Sequence, residues 1–166
     1  MKILLERLTE ILKEEIRLHT ELLSLSRDKE CIIINNQVNL LKEMVSREEE
    51  IISLIQKEEE ARYELMKALA LYFKISVKKL TMYKLLELID VDFSAELKNI
   101  HQEILALIKK LKSVNERNGA LIKTSLDLVS YSMNLYVSLA SQEPVYSAKG
   151  RLAKKVKTNF ILDEKI

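Results

Sequence analysis

The sequence is poor in the residues that build turns, sheets and cofactor loops. Its 166 residues include two glycines and one proline, and aromatic residues make up 5%. Hairpins of a sheet depend on glycine, asparagine–glycine or proline turns, so a sheet-based fold is not expected. With Gly119 and Gly150 as the only glycines, neither a phosphate-binding loop nor a dinucleotide-binding fingerprint can be built.

Residues that bind metals or form disulfides are equally scarce. Cys31 is the only cysteine, which excludes an intrachain disulfide and a cysteine metal cluster. A four-helix di-iron site needs a glutamate three residues before each ligand histidine. Ile16 stands there for His19 and Lys98 for His101, so we interpret both histidines as surface helix residues. We expect no metal, no cofactor and no enzymatic activity.

Neither charge nor hydropathy points to nucleic acid or a membrane span. The net charge is +2, which is too small to indicate nucleic-acid binding over the whole chain. No run of apolar residues has the length of a transmembrane helix. Glu6 and Arg7 lie where a signal peptide would need an apolar run. We therefore expect a cytoplasmic protein.

Heptad spacing of apolar residues predicts an all-α fold. Long helices suit the 31% of charged residues and the few turn formers. Polar residues interrupt the apolar seams at Glu15, Glu48, Glu59 and Arg62. We predict an elongated antiparallel helical hairpin with a long third helix packed along it, a coiled-coil-like three-helix bundle. The expected segments are helices over about 2–34, 37–73 and 92–142, with a short helical connector over 76–90.

The expected boundaries follow from local signals. Asn36 is a plausible N-cap for the second helix. The alternative is one continuous helix through Asn35 and Asn36, since two asparagines lower helix propensity only modestly. Pro144 ends the third helix because the residue before proline disfavours helix. In the connector, Ser76 and Thr81 can cap short helical turns. We expect one domain over 1–143 and a mobile basic tail over 144–166.

The third helix carries one unbroken heptad row, whose surroundings change along its length. From Thr124 to Gln142 the only charged residue is Asp127, so something must cover this part of the helix. The row alternates spacings of four and three, as one seam of a helix that meets a partner does. Its members are Phe93, Leu97, Ile100, Ile104, Leu107, Leu111, Val114, Asn118, Leu121, Ser125, Leu128, Ser132, Leu135 and Leu139.

A second apolar stripe appears beside this row in the uncharged part. One stripe is enough to hold a helix pair, so the second is surplus. Either the surplus stripe is core of the chain's own bundle, or it is a groove for a helix of another chain. If it is uncovered, self-association without a partner is also expected. The stripe consists of Ile122, Leu126, Val129, Met133, Tyr136 and Ala140.

Two motifs resemble the FlgN family of flagellar export chaperones. The stretch 114–122 (VNERNGALI) is similar to that family's Asn-x-x-Asn-Gly-x-Leu-Leu segment. The stretch 142–150 (QEPVYSAKG) contains Pro-x-Tyr-x-x-x-Gly some twenty residues later. The first 75 residues resemble the family only as generic coiled coil.

The resemblance implies a role in export without chemistry. Such proteins bind the C-terminal helical segments of the hook-associated proteins FlgK and FlgL, prevent their early assembly and deliver them to the export gate. Tyr146, with Gly150 in the same motif, is implied to dock on the gate protein FlhA. The implied client site includes Leu121, Ile122, Leu126, Val129, Met133, Tyr136 and Val137. We add Asn118 and Gly119, because a glycine within a helix allows close approach of another backbone or marks a bend.

Two other functions fit the same helices. One is a different coiled-coil adaptor of the export apparatus that recruits empty chaperones. The other is a purely structural coiled-coil oligomer, in which the interface between copies would use the whole stripe.

Overall fold

The described part of the molecule consists of long helices. The computed structural model describes residues 1–140, apart from the side chain of Asp92. The expected tail, with Tyr146 and Gly150, lies outside the described residues. Within residues 1–140 there is no strand, which confirms the all-α prediction. The elements are α1 (Lys2–Ile34), α2 (Val38–Tyr72), a 3-10 turn (Val77–Lys79), α3 (Met82–Leu88) and α4 (Val91–Ala140).

The chain divides into two compact units. The first is Met1–Thr124 and the second is Ser125–Ile166. Helix α4 begins in the first unit and ends in the second.

Polar contacts within the first unit fix the directions of its helices. Glu15 pairs with Arg62 and Ser26 with Glu48, so residue numbers rise along α1 as they fall along α2. The two helices are therefore an antiparallel hairpin, as predicted. Helix α4 runs in the direction of α1, because Lys13 meets Glu96 near its start and Ser26 meets Asn118 further along.

Leucine and isoleucine side chains from every helix of the first unit form its main core. The connector contributes Leu85, which is fully buried, and Leu86, Leu88 and Ile89 pack against the same cluster. The connector thus packs against residues near the start of α1 and the end of α2. The Thr81 hydroxyl accepts a hydrogen bond from the Lys84 amide at 3.2 Å, as expected of an N-cap. Ser76 precedes the 3-10 turn but makes no side-chain cap hydrogen bond. The buried cluster contains Leu5, Leu8, Leu12, Leu69, Ala70, Leu80, Leu85, Leu97, Ile100 and Ile104.

The predicted role of Asn36 is wrong. Asn36 has φ of 54°, and its amide donates to the Ile33 carbonyl at 3.0 Å while the Gln37 amide donates to the Ile32 carbonyl at 3.1 Å. This pair of bonds is the Schellman motif, which ends a helix with a left-handed residue. Asn36 therefore terminates α1, because asparagine tolerates that conformation better than most residues. The N-cap of α2 is Gln37, without a side-chain hydrogen bond.

The buried carboxylates that interrupt the seams have hydrogen-bond partners on neighbouring helix positions. The buried Glu15 carboxylate accepts a hydrogen bond from Arg62 Nε at 2.8 Å. Glu48 is also buried and accepts hydrogen bonds from the Ser26 hydroxyl and the Lys29 ammonium. Burial raises the pKa of Glu15, an effect that the Arg62 charge opposes. Each carboxylate is tolerated in the seam because a neighbouring helix position supplies its partner.

The interpretation of His19 as a surface residue is wrong. Its side chain is buried, and its Nδ1 lies 2.7 Å from the Glu15 carbonyl oxygen. Helix α1 packs on two sides, against α2 and α4, so residues beside its main seam are covered as well. His101 on α4 is half-buried and meets the Tyr83 ring edge-on, with centroids 5.5 Å apart.

Candidate docking surface on the last helix

The heptad row of α4 changes from buried to exposed part-way along the helix. Val114 and Asn118 are 3% and 2% exposed, whereas Leu128 is 65% exposed. From Ile122 to Ala140 every residue is exposed. The sequence left open whether this stretch is core of the chain's own bundle or a groove for another chain. Within the part of the chain that the structure describes, residues 122–140 are not buried, so they are not core.

Helix length explains where the change occurs. Helix α1 has 33 residues and α4 has 50. At 1.5 Å per residue these are rods of roughly 50 Å and 75 Å. Asn118 already lies beside Ser26, eight residues before α1 ends at Ile34. The partner helix therefore ends soon after this point, while α4 continues.

The exposed stretch Ser125–Ala140 carries two separate apolar faces. Their centres are roughly 150° apart on a helix of 3.6 residues per turn. The side chains of both faces are between 48% and 75% exposed. The first apolar face consists of Leu126, Val129, Met133, Tyr136 and Val137. The second apolar face consists of Leu128, Tyr131, Leu135 and Leu139.

Small polar residues separate the two faces. Ser125 and Ser132 lie on one side, and Asp127, Ser130 and Asn134 lie on the other, by their positions around the helix. The expectation that the original row holds a helix pair throughout is wrong here, since Leu128, Leu135 and Leu139 are as exposed as the surplus stripe.

Hydroxyl groups in this region donate to the backbone of their own helix. The Ser132 hydroxyl donates to the Leu128 carbonyl at 2.8 Å, and the Ser138 hydroxyl donates to the Leu135 carbonyl at 2.7 Å. Such bonds satisfy the hydroxyl proton locally. The surface is therefore less polar than its serine content suggests, which favours an apolar partner.

The burial energy of each face can be compared with the free-energy cost of association. At ~1.5–3 kcal/mol for a fully buried side chain, scaled to the exposed fraction, the first face offers on the order of 7 kcal/mol. The second offers on the order of 5 kcal/mol by the same rule. Association costs about 4–15 kcal/mol in lost freedom. Each face alone lies near the lower end of that range, whereas the two together, on the order of 12 kcal/mol, lie towards its upper end.

The remaining predicted client residues lie in the first unit. Leu121 is half-buried and Ile122 is 38% exposed. Gly119 is exposed, and a Cβ placed there would meet nothing within 4 Å. A side chain at this position therefore fits the chain on its own.

Asn118 lies in the interior. Its Nδ2 donates to the Ser26 carbonyl at 2.7 Å, and its buried Oδ1 has no partner among the described residues. The five residues of the first apolar face lie together on the surface, whereas Asn118 is buried and does not belong to that face.

Sequence reasoning missed the second apolar face. Leu128, Leu135 and Leu139 were assigned to helix pairing, and Tyr131 had no role. The signal that could have found them was the absence of charge on every side of residues 128–142, since a helix pair needs to cover one side only.

Residues 1–140 contain neither a metal-binding cluster nor a membrane-spanning helix. No group of histidine, cysteine, aspartate and glutamate side chains there could hold a metal ion. None of the described helices is both long enough and apolar enough to cross a membrane.

Comparison with known proteins identifies one family. The family model described as "FlgN protein" matches residues 1–154, so it spans both the helical bundle and the exposed stretch of α4. No curated protein and no solved structure matches the chain.

Proposed function

We propose that this chain, which belongs to the FlgN protein family of flagellar export chaperones, binds hook-associated proteins in the cytoplasm and delivers them to the export gate. The family is one of chaperones and not of enzymes. The particular clients, the C-terminal helical segments of FlgK-like and FlgL-like proteins, and the FlhA-like gate are the parts that we propose.

The observation that carries the proposal is the exposed, nearly uncharged stretch Ser125–Ala140. The core of the first unit is complete without this stretch. Its core clusters contain no residue after Leu111, and its last buried polar residue is Asn118. Exposed apolar area of this extent on a monomer marks an interaction site. An amphipathic client helix suits it, because such helices bind through apolar side chains at every third or fourth residue.

The proposed contacts lie along one helix. The first apolar face is their centre, and Leu121 and Ile122 extend the set towards the N-terminus of α4. Gly119 is exposed on the same helix and is the proposed point of close approach for a client backbone. Asn118 would act only through the position of α4, because its side chain is buried.

Two aspartates on the first apolar face test this site. The double substitution Val129→Asp and Met133→Asp should weaken binding of a client by more than about 100-fold. The client used is the C-terminal helical region of the FlgK-like protein from the same organism. A charge buried without a partner costs several kcal/mol, which corresponds to at least that factor. Isothermal titration calorimetry with the full chain gives the affinity.

The matched control places the same charges one residue further along the helix. Ser130→Asp with Asn134→Asp has the same spacing but lies between the two faces, and it should retain most of the affinity. Equal affinities of the two double variants would refute the proposed client site.

Gate docking is tested at Tyr146, which lies outside the described residues. Tyr146→Ala should leave client affinity unchanged and reduce binding to the cytoplasmic domain of the FlhA-like protein, because the aromatic ring is the proposed contact. Tyr146→Phe should retain the binding. Loss of client binding in Tyr146→Ala would show that the two sites are not separate.

A structural oligomer is the second candidate, and the same exposed faces favour it. It requires a tight oligomer that forms without client and buries both faces. Sedimentation at several concentrations, with and without the FlgK-like C-terminal region, separates this candidate from a chaperone, whose self-association should be weak and reversed by client.

A further inference from the structure

We propose that the second apolar face binds a second helical segment of the same client molecule, so that one client contacts residues 125–140 from two sides. This inference rests on the proposed function, since it requires that a client binds the first apolar face.

The positions of the two faces exclude coverage by one helix. An amphipathic helix presents an apolar stripe about 100° wide, and the centres of the two faces are roughly 150° apart. Ser125 and Ser132 occupy one gap between them. Tyr131 and Leu135 are 67% and 48% exposed in the chain on its own. A helix that binds the first face therefore leaves both side chains exposed to water.

The size of the second face indicates which partner covers it. Its four side chains extend over about three turns of helix. Their burial gain, on the order of 5 kcal/mol, lies near the lower limit of the cost of binding an independent partner, about 4–15 kcal/mol. A segment that is already tethered through the first face avoids that cost, because its effective concentration is on the order of millimolar.

A second copy of the chain suits this face less well. Symmetric pairing of two copies through the second face alone would bury two short patches of four side chains. A stable interface usually buries about 800 Å² on each partner, and three turns of one helix face supply less than that. The small area of the second face therefore favours a client helix that is already tethered through the first face.

The first test places glutamine substitutions on the second apolar face and compares binding of a complete and a shortened client region. Glutamine has nearly the helix propensity of leucine, so it removes apolar surface without weakening the helix. Leu135→Gln with Leu139→Gln should weaken binding of the complete FlgK-like C-terminal region at least tenfold. The same variant should bind a peptide with only the client helix that occupies the first face as tightly as the unchanged chain does.

The second test identifies what lies on each face. Benzoylphenylalanine is placed at Tyr131 on the second face or at Tyr136 on the first, where an aromatic ring is already exposed. Irradiation of the complex should link both positions to the same client chain, and mass spectrometry should map the links to two different helical segments. This result, with the loss of affinity above, supports the proposal.

Three outcomes overturn it. Unchanged affinity of the Leu135→Gln, Leu139→Gln variant shows that the client leaves the second face uncovered. Links from position 131 to another copy of this chain alone identify a second copy as the occupant. If the unchanged chain binds neither the complete region nor the peptide, the proposed function fails first, and that failure is visible without any variant.

Discussion

Two parts of α4 share one heptad row and one backbone conformation but have opposite surroundings. Between Leu97 and Asn118 the row faces α1 and the connector, and at Leu128, Leu135 and Leu139 it faces water. Leucine recurs in both parts of the row, although serine takes positions 125 and 132 in the exposed part. The comparison shows that an a/d pattern indicates where a helix can be buried, and that the presence of a second helix decides whether it is.

The largest expected effect compares the same substitution in the two parts. Leu97→Ala should lower the free energy of unfolding by about 2–5 kcal/mol, because Leu97 is fully buried and the substitution leaves a cavity. Leu128→Ala should change it by less than about 0.5 kcal/mol, since the side chain is mostly in water. Urea denaturation followed by circular dichroism measures both. Similar losses for the two variants would mean that residues 125–140 are packed in the free protein.

The next effect concerns the buried charge in the first unit, which has no counterpart among residues 125–140. Arg62→Met should destabilise the protein by roughly 2 kcal/mol, because it leaves the Glu15 carboxylate buried without a partner. The value is below that for a deeply buried pair, since the Arg62 side chain is 36% exposed. Adding Glu15→Gln to Arg62→Met should restore most of the loss. If the double variant is as unstable as Arg62→Met, the buried charge is not the cause.

The same carboxylate gives the first unit a pH dependence. Burial raises the pKa of Glu15, so the folded state binds its proton more tightly than the unfolded state does. Stability from this group therefore falls as pH rises from the ordinary glutamate pKa, about 4.3, through the raised pKa of Glu15. Glu15→Gln should flatten the stability profile in that window, as thermal unfolding at several pH values would show.

The smallest effect is expected at Asn118, the last buried residue of the heptad row. Asn118→Leu should raise the free energy of unfolding by about 1 kcal/mol, because the buried Oδ1 has no partner among the described residues. A buried asparagine at such a position also fixes helix register at a cost in stability. Denaturation together with the sedimentation profile measures both properties. A loss of stability would show that the amide bond to Ser26 outweighs the unpaired oxygen.

Much of the fold could be predicted from the sequence, for reasons visible in particular residues. The bounds predicted from heptad spacing for the three long helices lie within two residues of the described bounds. This spacing is informative because it places apolar side chains on the face that a helix buries in a core. Ser76 and Thr81 were both predicted to cap short turns, but only the Thr81 hydroxyl makes the cap hydrogen bond. Asn36 was misassigned, because asparagine suits both a helix start and a left-handed helix end, and only the backbone conformation distinguishes them.

The candidate site was predictable in part. The lack of charge after Lys123 identified the stretch and its first apolar face. The second face was missed because residues in a continuous heptad row were assumed to keep one partner. His19 was misplaced for a related reason, since one helix sequence does not reveal how many neighbours the helix has.

The sequence alone determined that the chain is helical, where its long helices lie, and that residues 124–142 carry a single charge, at Asp127. Those properties depend on spacing and composition, which are local. Tertiary structure alone decided that Asn118 is interior and Leu128 is surface, because α1 has 33 residues and α4 has 50. Burial requires a neighbour, and the neighbouring helix ends before the heptad row does.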